Sequence, residues 1–233
     1  YTSEESLSDA KECSDLLEVK YSVINIKGVL DEYKCIFNNI FNGLDEDETE
    51  ENIQSRVRGA VLMAVSNKFG DMVLATGNKS EMSVGYATLY GDMCGGFSVL
   101  KDVYKTVVFS LAVWRNANFL EFFKGKQGCM IPQNIIKKPP TAELKPNQFD
   151  QDKLPSYDVL DAILIALIEE EKPLDDIINI GFDKNIVMQV SKLLKTAEYK
   201  RRQSPPGIKI TDKSFGRERR YPITNQFVEK VLD

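Results

Sequence analysis

The side chains in this 233-residue chain exclude several common kinds of chemistry. The chain contains no histidine, so a Ser-His-Asp or Cys-His nucleophile and any histidine-ligated metal site are excluded within it. Its four cysteines, at positions 13, 35, 94 and 129, lack the CxxC spacing of a zinc site. Chemistry must therefore rest on carboxylates, lysine and arginine, hydroxyls, the backbone, and a hard cation such as Mg²⁺.

Residues 71–96 place polar groups where α/β proteins bind ligands. The apolar run Met72–Ala75 suits a strand that is buried on both faces. Thr76-Gly77 ends this run, and Asn78-Lys79-Ser80-Glu81 begins a short helix. Open α/β sheets bind ligands at the carboxyl ends of their strands, and the N–H groups at a helix N-terminus favour phosphate. The same residues would also suit a buried strand followed by two ordinary loops.

The stretch LATGNKSEMSVGYATLYGDMCGGFSVLKDVYKT, residues 74–106, resembles the synthetase (ATP-pyrophosphatase) domain of NAD synthetases. It is most similar to the glutamine-dependent type, whose pattern is TGNKSE, then GYxTxYGDxxGGF, then KDVxKT. The segments NIQSRVRG, PPTAEL and EYKRRQSPPG extend the resemblance over nearly the whole chain. It implies an α/β fold of the Rossmann-like adenine-nucleotide alpha-hydrolase kind, with a parallel sheet flanked by helices, and one domain over residues 1–233.

The resemblance also implies which residues bind substrates. It assigns ATP binding to three residues: Thr76, Lys105 and Thr141. It assigns deamido-NAD binding to Arg56, Glu81 and Lys200, with Asn52 as a weaker candidate. Glu81 would also reach a Mg²⁺ ion, because a carboxylate beside a triphosphate is otherwise unfavourable.

Most of these charged residues also have an ordinary structural explanation. Arg56 and Arg58, two positions apart on one helix, would suit a solvated surface. Glu81 would suit the dipole at a helix N-terminus, and Lys200 the dipole at a helix C-terminus. The polar segment Asn147–Ser156 contains the family's DQD pattern and resembles a loop that closes over the active site, but it would also suit a flexible linker.

The hydrophobic pattern predicts alternating strands and helices, the rhythm of a parallel sheet. A capping box at Ser6–Asp9 predicts a helix to about Leu17, and alternation predicts a strand over Tyr21–Ile26. Further helices are predicted over Leu30–Phe41, Asn52–Phe69, Tyr157–Ile168 and Ile186–Ala197. The second of these carries an apolar stripe of Ile53, Val57, Ala60, Val61, Ala64 and Val65, and the third is apolar enough for the core or a subunit contact.

Composition indicates which classes of partner and which cell compartment to expect. The net charge of −5 argues against general nucleic-acid binding. No apolar run approaches the roughly 18 residues that cross a bilayer, so we expect no membrane partner. Scattered cysteines and the absence of a signal-like opening segment predict a cytoplasmic protein.

The resemblance implies an ATP-dependent ligase for the last step of NAD biosynthesis. ATP would adenylate the nicotinate carboxylate of deamido-NAD, and ammonia would then displace AMP to leave NAD⁺. A glutaminase domain would supply ammonia from glutamine, and a homodimer or a higher homo-oligomer is expected. The family's first strand, its SGGxDS phosphate loop and its glutaminase domain are expected upstream of Tyr1, outside this chain.

Two alternatives remain at this point. Another ATP-pyrophosphatase, amidating or thiolating a different substrate, would share the fold but not NIQSRVRG and EYKRRQ. A non-catalytic remnant that acts as a binding or dimerisation module would explain a chain without the phosphate loop.

Overall fold

A computed structural model describes residues 2–145, 148–224 and 227. Two strands, β1 (Leu74–Ala75) and β2 (Phe97–Ser98), lie among helices. The helices are α1 (Glu4–Leu16), α2 (Lys27–Phe37), α3 (Glu48–Phe69), α4 (Lys79–Val84), α5 (Lys105–Ala117), α6 (Gln133–Lys137), α7 (Tyr157–Ile168), α8 (Leu174–Asn179), α9 (Lys184–Thr196) and α10 (Glu198–Arg201). No helix in these described residues is long and apolar enough to cross a membrane.

The chain divides into two compact units. The first comprises Tyr1–Gln54 and Val107–Lys153, and the second comprises Ser55–Thr106 and Leu154–Asp233. The helices α3 and α5 contribute residues to both units, because two of the three unit boundaries fall within them.

A short parallel sheet organises the second unit. β1 and β2 pair in parallel, with Leu74 opposite Phe97 and Ala75 opposite Ser98. A parallel bridge between Ser98 and Gly207 continues the pairing. Because α4 lies between the two strands in sequence, the unit contains the strand–helix–strand connection of an α/β fold, which confirms the predicted class. The strands are shorter than the predicted apolar run.

The hydrophobic core of the second unit is built around α7. Leu160, Ile163, Leu164 and Ile168 on this helix have no solvent exposure. They pack with buried residues of α4, α8 and α9: Val84, Ile177, Val187 and Val190. Each such side chain stabilises the fold by roughly 1.5–3 kcal/mol through removal from water. The apolar face of α7 therefore belongs to the core, the first of its two predicted locations.

Two predictions for the first unit are wrong in detail. The first helix begins at Glu4, where the Ser3 hydroxyl accepts the Ser6 N–H at 3.1 Å, so the cap lies three residues before the predicted one. Residues 21–26 form no strand, and Val23 and Ile24 there are 62% and 55% exposed. A strand needs a neighbouring backbone to bond with, and within the described residues no strand pairs with this segment.

The helix α3 confirms the prediction of a long helix before the central strand, although it begins four residues earlier than expected. Its predicted apolar stripe is wrong as a description of burial. Val57 is buried, but Ala60 and Ala64 are exposed and Val65 is 39% exposed. Periodicity shows which residues share a face of a helix, but not which part of that face other elements cover.

Candidate functional site

The start of α4 carries the first predicted site residue. The Asn78 side chain accepts the Glu81 N–H at 3.0 Å, and Glu81 Oε2 accepts the Asn78 N–H at 3.2 Å. This reciprocal capping box satisfies two N–H groups that have no partner within the helix. Glu81 Oε1 lies 3.0 Å from Lys105 Nζ. Glu81 therefore caps α4, as its structural explanation requires, and also pairs with another predicted site residue.

Lys105 is placed by the beginning of α5. Its N–H donates to the Ser80 hydroxyl at 2.9 Å, and its ammonium lies 5.3 Å from the centre of the Tyr157 ring. The side chains of Lys105 and Glu81 are 20% and 18% exposed. This ion pair is therefore largely enclosed but still accessible to a ligand.

A cavity of about 390 Å³ lies beside α3 in the second unit. It is lined by Arg56, Gly59, Ala60, Met63, Leu89, Tyr90, Met93, Cys94, Gly95, Gln203 and Pro205. The exposed Arg56 side chain donates through Nε to Leu89 O at 3.2 Å. The Nε edge of the Arg56 guanidinium is thereby held against the 85–96 segment. The cavity is of the size that small-molecule sites have.

The loop that follows α4 contributes a carboxylate that sequence reasoning did not select. Asp92 Oδ1 accepts the Thr88 N–H at 2.6 Å, and the Asp92 N–H donates to Ser55 Oγ at 3.2 Å. Solvent reaches the side chain, yet the protein atoms crowded around it raise the pKa of the Asp92 carboxyl. Glu81 raises this pKa further, whereas Lys200 lowers it. Asp92 could have been selected from the sequence, because it is the aspartate of the YGD motif in the stretch that resembles the family.

Lys200, on α10, is the predicted site residue that comes from the C-terminal part of the chain. Its ammonium donates to Gly85 O at 2.7 Å and to Ala87 O at 2.6 Å. Lys200 therefore binds carbonyl oxygens just after α4, which differs from the expectation that it serves its own helix end. The charges of Lys200 and Glu81 both act on Asp92, so the three residues share one electrostatic environment.

A buried arginine holds α10 in this position. Arg201 donates to Ser83 O at 2.8 Å and Leu194 O at 2.7 Å, and it pairs with Glu198 at 3.0 Å. Burial lowers the pKa of the Arg201 guanidinium, while Glu198 opposes the shift. Because Arg201 is anchored to both α4 and α9, its neighbour Lys200 stays close to the residue 85–87 carbonyls.

A second buried network, also missed by sequence reasoning, holds the base of α4. Lys79 has no exposure, and its ammonium lies 2.9 Å from Asp102 Oδ1, 2.6 Å from Glu169 Oε1 and 2.6 Å from Thr211 Oγ1. Burial acts to raise the pKa of Asp102, but Lys79 and the N–H groups of Thr211 and Ile210 outweigh it and lower the pKa. A lysine inside a matched motif gave no sign, in the sequence, that it was buried.

Three further residues were predicted to bind the substrates. Thr76 is exposed and directly follows β1, at the carboxyl end where ligands were expected. Thr141 and Asn52 belong to the first unit; Thr141 Oγ1 accepts the Glu143 N–H at 3.1 Å, and Asn52 lies on α3. The substrate roles of all three residues stay predictions.

The DQD segment forms a short 3-10 helix over Asp150–Asp152. The Asp152 carboxylate accepts the Phe149 N–H at 2.9 Å, and Asp150 is buried. Asn147, where the predicted loop begins, lies outside the described residues. Closure of this loop over a site stays a prediction.

Glu81 supplies a single carboxylate for a cation. In the described part of the chain no group of three or more cysteine, aspartate or glutamate side chains is arranged to hold a metal. A Mg²⁺ ion that keeps several waters and binds mostly to substrate phosphates needs only one or two protein carboxylates. The residues present fit a cation of that kind and do not fit a metal held by the protein alone.

Comparison with known proteins identifies the family of this chain. The chain matches the NAD synthase family over residues 1–204. It is 50% identical over 225 residues to the glutamine-dependent NAD⁺ synthetase of Acinetobacter baylyi, covering 97% of this chain and 40% of that protein. The chain thus spans about two fifths of the curated relatives it matches.

Solved structures give the same fold. The glutamine-dependent NAD⁺ synthetase of Acinetobacter baumannii, in complex with ADP, is 46% identical with a TM-score of 0.56, covering 99% of this chain and 40% of that one. The Cytophaga hutchinsonii enzyme of the same name has a TM-score of 0.76 at 22% identity, covering 96% of this chain and 37% of that one, and it shows the fold alone. The α/β ATP-pyrophosphatase fold is confirmed, and this chain belongs to the NAD synthase family.

Proposed function

We propose that this chain is the synthetase domain of an enzyme that converts deamido-NAD to NAD⁺ with ATP and ammonia. The observation that carries the proposal is the grouping of four charged side chains, Arg56, Glu81, Lys105 and Lys200, around α4 and the 85–96 segment. The sequence resemblance independently assigns all four to substrate binding. Membership of the family supports the same activity.

The reaction has two steps. First, an oxygen of the nicotinate carboxylate attacks the α-phosphorus of ATP, which forms an acyl adenylate and releases pyrophosphate. Second, the lone pair of ammonia attacks the activated carbonyl carbon, the bond to AMP breaks, and a proton leaves the new amide nitrogen. The protein contributes mainly by positioning the reactants and by stabilising the charges that develop.

Each predicted binding side chain has a chemical group that suits one of the two substrates. Arg56, in the cavity beside α3, offers a planar guanidinium that suits a carboxylate or phosphate of deamido-NAD. Lys200 would bind the same substrate, and Asn52 is a further candidate. Lys105 would neutralise ATP phosphates, while Thr76 and Thr141 would donate hydroxyl hydrogen bonds to ATP.

Mg²⁺ belongs to the proposal as a partner of the triphosphate. Glu81 would be the protein carboxylate on this ion, with the remaining ligands coming from phosphate oxygens and water. When bound, the ion would offset phosphate charge during the attack on the α-phosphorus. The Glu81 carboxylate also pairs with the Lys105 ammonium at 3.0 Å, which places both groups beside the expected phosphates.

The nitrogen source and assembly are also proposals. The curated relatives carry the description glutamine-dependent, and this chain covers about two fifths of their length. We therefore propose that a glutaminase domain supplies ammonia, that the protein is a homo-oligomer, and that it acts in the cytoplasm.

The direct test uses the full-length gene product with deamido-NAD, ATP, Mg²⁺ and either ammonium or glutamine. We expect NAD⁺ to form with one AMP per NAD⁺, measured by chromatography. Nicotinic acid mononucleotide, offered in parallel, tests whether a smaller carboxylate is the true substrate. A folded protein that binds ATP but amidates another acid would support a different ATP-pyrophosphatase, and one that binds no nucleotide would support a non-catalytic module.

A further inference from the structure

One buried carboxylate lies beside the proposed ATP-binding residues without being among them. Asp161 on α7 is 1% exposed. Its Oδ2 accepts the Thr106 N–H at 2.9 Å and the Thr106 hydroxyl at 2.8 Å. Its Oδ1 accepts the Ser80 hydroxyl, and Ser80 Oγ in turn accepts the Lys105 N–H at 2.9 Å. All four residues belong to the second unit.

These hydrogen bonds give the first backbone N–H groups of α5 acceptors that come from other helices. The first N–H groups of an α-helix have no partner within it, and those of Lys105 and Thr106 are the first two of α5. They are bound by a hydroxyl from α4 and a carboxylate from α7. The negative charge of Asp161 also matches the positive end of the α5 dipole. The first turn of α5 is therefore positioned by two other helices.

The same bonds determine where a functional pair lies. The network binds the Lys105 backbone N–H directly, and it reaches Glu81 through Ser80, the residue that directly precedes it. One set of hydrogen bonds therefore bears on both members of the Glu81–Lys105 pair. The Tyr157 ring, which lies 5.3 Å from the Lys105 ammonium, is on the same helix as Asp161. A shift of Asp161 would therefore move the Lys105 ammonium relative to Glu81.

We propose that Asp161, acting through Ser80 and Thr106, is a positioning residue that aims Lys105 at the phosphates of ATP. This inference rests on the proposed function. It goes beyond that function because none of the three residues was assigned a role by the resemblance. Its effect should fall first on ATP binding, because the network binds the Lys105 backbone directly, whereas Arg56 and Lys200 donate to carbonyl oxygens of residues 85–89.

The test compares Asp161→Asn and Thr106→Val with wild type in the full-length enzyme. Asp161→Asn keeps the shape but removes the charge, and Thr106→Val removes one donor without changing size. We expect both to raise the KM for ATP, by roughly 10-fold or more for Asp161→Asn, because small misplacements of a positioning group are costly. The KM for deamido-NAD should rise less than the KM for ATP, because Glu81 also belongs to the proposed deamido-NAD site but Arg56 and Lys200 are held by other contacts.

Matched controls separate positioning from general damage. Asp158→Asn removes the same charge from an exposed position one turn earlier on α7 and should leave both KM values unchanged. Thr106→Ser keeps the hydroxyl and should restore a KM for ATP near that of wild type. Thermal unfolding midpoints are measured for every variant; if Asp161→Asn fails to fold, Thr106→Val and Thr106→Ser decide the question.

Calorimetric titration with a non-hydrolysable ATP analogue distinguishes the two proposals. Wild type that binds the analogue but makes no NAD⁺ would overturn the proposed function, while weaker analogue binding in Thr106→Val would still support the positioning role. Variants that lower the unfolding midpoint but leave the ATP KM unchanged, or that raise both KM values equally, would overturn the positioning role.

Discussion

At the scale of single residues, Arg56 is a position where an effect on ligand binding can be distinguished from an effect on folding. It is exposed, lines the cavity, and makes one described hydrogen bond to a backbone oxygen. A residue of this kind contributes little to folding, because surface changes are usually within about 0.5 kcal/mol. Any large effect of changing it must then come from the ligand.

Replacement of Arg56 should weaken deamido-NAD binding and leave stability unchanged. We expect Arg56→Ala to raise the KM for deamido-NAD by roughly 10- to 100-fold, and Arg56→Lys by less, because lysine keeps the charge but loses the planar fork. Steady-state kinetics and urea unfolding measure the two effects. Lys68→Ala, on an exposed position of the same helix, is the control. An unchanged KM in Arg56→Ala would remove this residue from the site.

Asp92 should show a characteristic dependence of stability on pH. Its pKa is raised above 3.8, so its contribution to folding is present at low pH and is lost as the pH rises through the raised value. Wild type should therefore lose stability relative to Asp92→Asn as the pH rises above 3.8, by less than about 1 kcal/mol because solvent reaches the carboxylate. Urea unfolding across this range measures it. A difference that grows as the pH falls would contradict the assignment.

At the scale of elements, the close packing of α3 on the 85–96 segment shapes the cavity. A Cβ on Gly59 would meet Gly91 O at 2.9 Å, Tyr90 O at 3.0 Å and Cys94 Sγ at 3.1 Å. A glycine at this position lets the helix lie directly against backbone carbonyls. The cavity that Arg56 lines depends on this approach.

Gly59→Ala should therefore push α3 away from the 85–96 segment. We expect a loss of about 1–3 kcal/mol in unfolding free energy from overpacking, and a raised KM for deamido-NAD. Gly28→Ala in α2 is the matched control, since a Cβ there meets nothing within 4 Å and helix propensity should give up to about 1 kcal/mol of stabilisation. Equal stability of the two variants would show that α3 is free to shift.

The buried ion pair of Lys79 and Asp102 is a second contact that holds elements of the fold together. Both side chains are nearly or fully buried, and Lys79 links α4 to Asp102, to Glu169 after α7, and to Thr211. Because removal of one partner leaves a buried charge poorly compensated, Asp102→Asn should cost about 3 kcal/mol at pH 7. Asp176→Asn, at an exposed position of α8, is the control and should cost less than about 1 kcal/mol.

Asp102 should also respond to acid in the opposite direction from Asp92. Its pKa is lowered below 3.8, so its contribution is present above that value and is lost as the pH falls through the lowered value. Wild type should lose its stability advantage over Asp102→Asn below about pH 4. An advantage that stays constant down to pH 2, by urea unfolding, would show that this carboxylate is not held ionised by Lys79.

At the scale of the whole molecule, burial is uneven. The core residues of α7, including Leu160, Ile163 and Leu164, have no exposure, whereas α2 has no buried residue. Local stability follows the amount of buried apolar contact, so different helices should open with different free energies.

Hydrogen exchange measured by mass spectrometry should reveal this difference. We expect peptides from α7 and α9 to exchange slowest and peptides from α2 to exchange fastest, by several orders of magnitude, in the absence of ligands. Protection of α2 equal to that of α7 would show that α2 is covered in solution by something other than the contacts described here.

The sequence by itself determined the family, the fold class and the approximate helices, and its resemblance to the family predicted four charged residues of the candidate site. It did so because motif spacing and apolar periodicity are local properties of the chain. The tertiary structure alone decided that residues 21–26 form no strand, that three of the six α3 stripe residues are exposed, and that Lys200 binds carbonyls near α4. It alone brought Asp161 to Ser80 and Thr106, and Lys79 to Asp102 and Glu169, because these pairs lie 23 to 90 residues apart and only the folded packing determines such contacts.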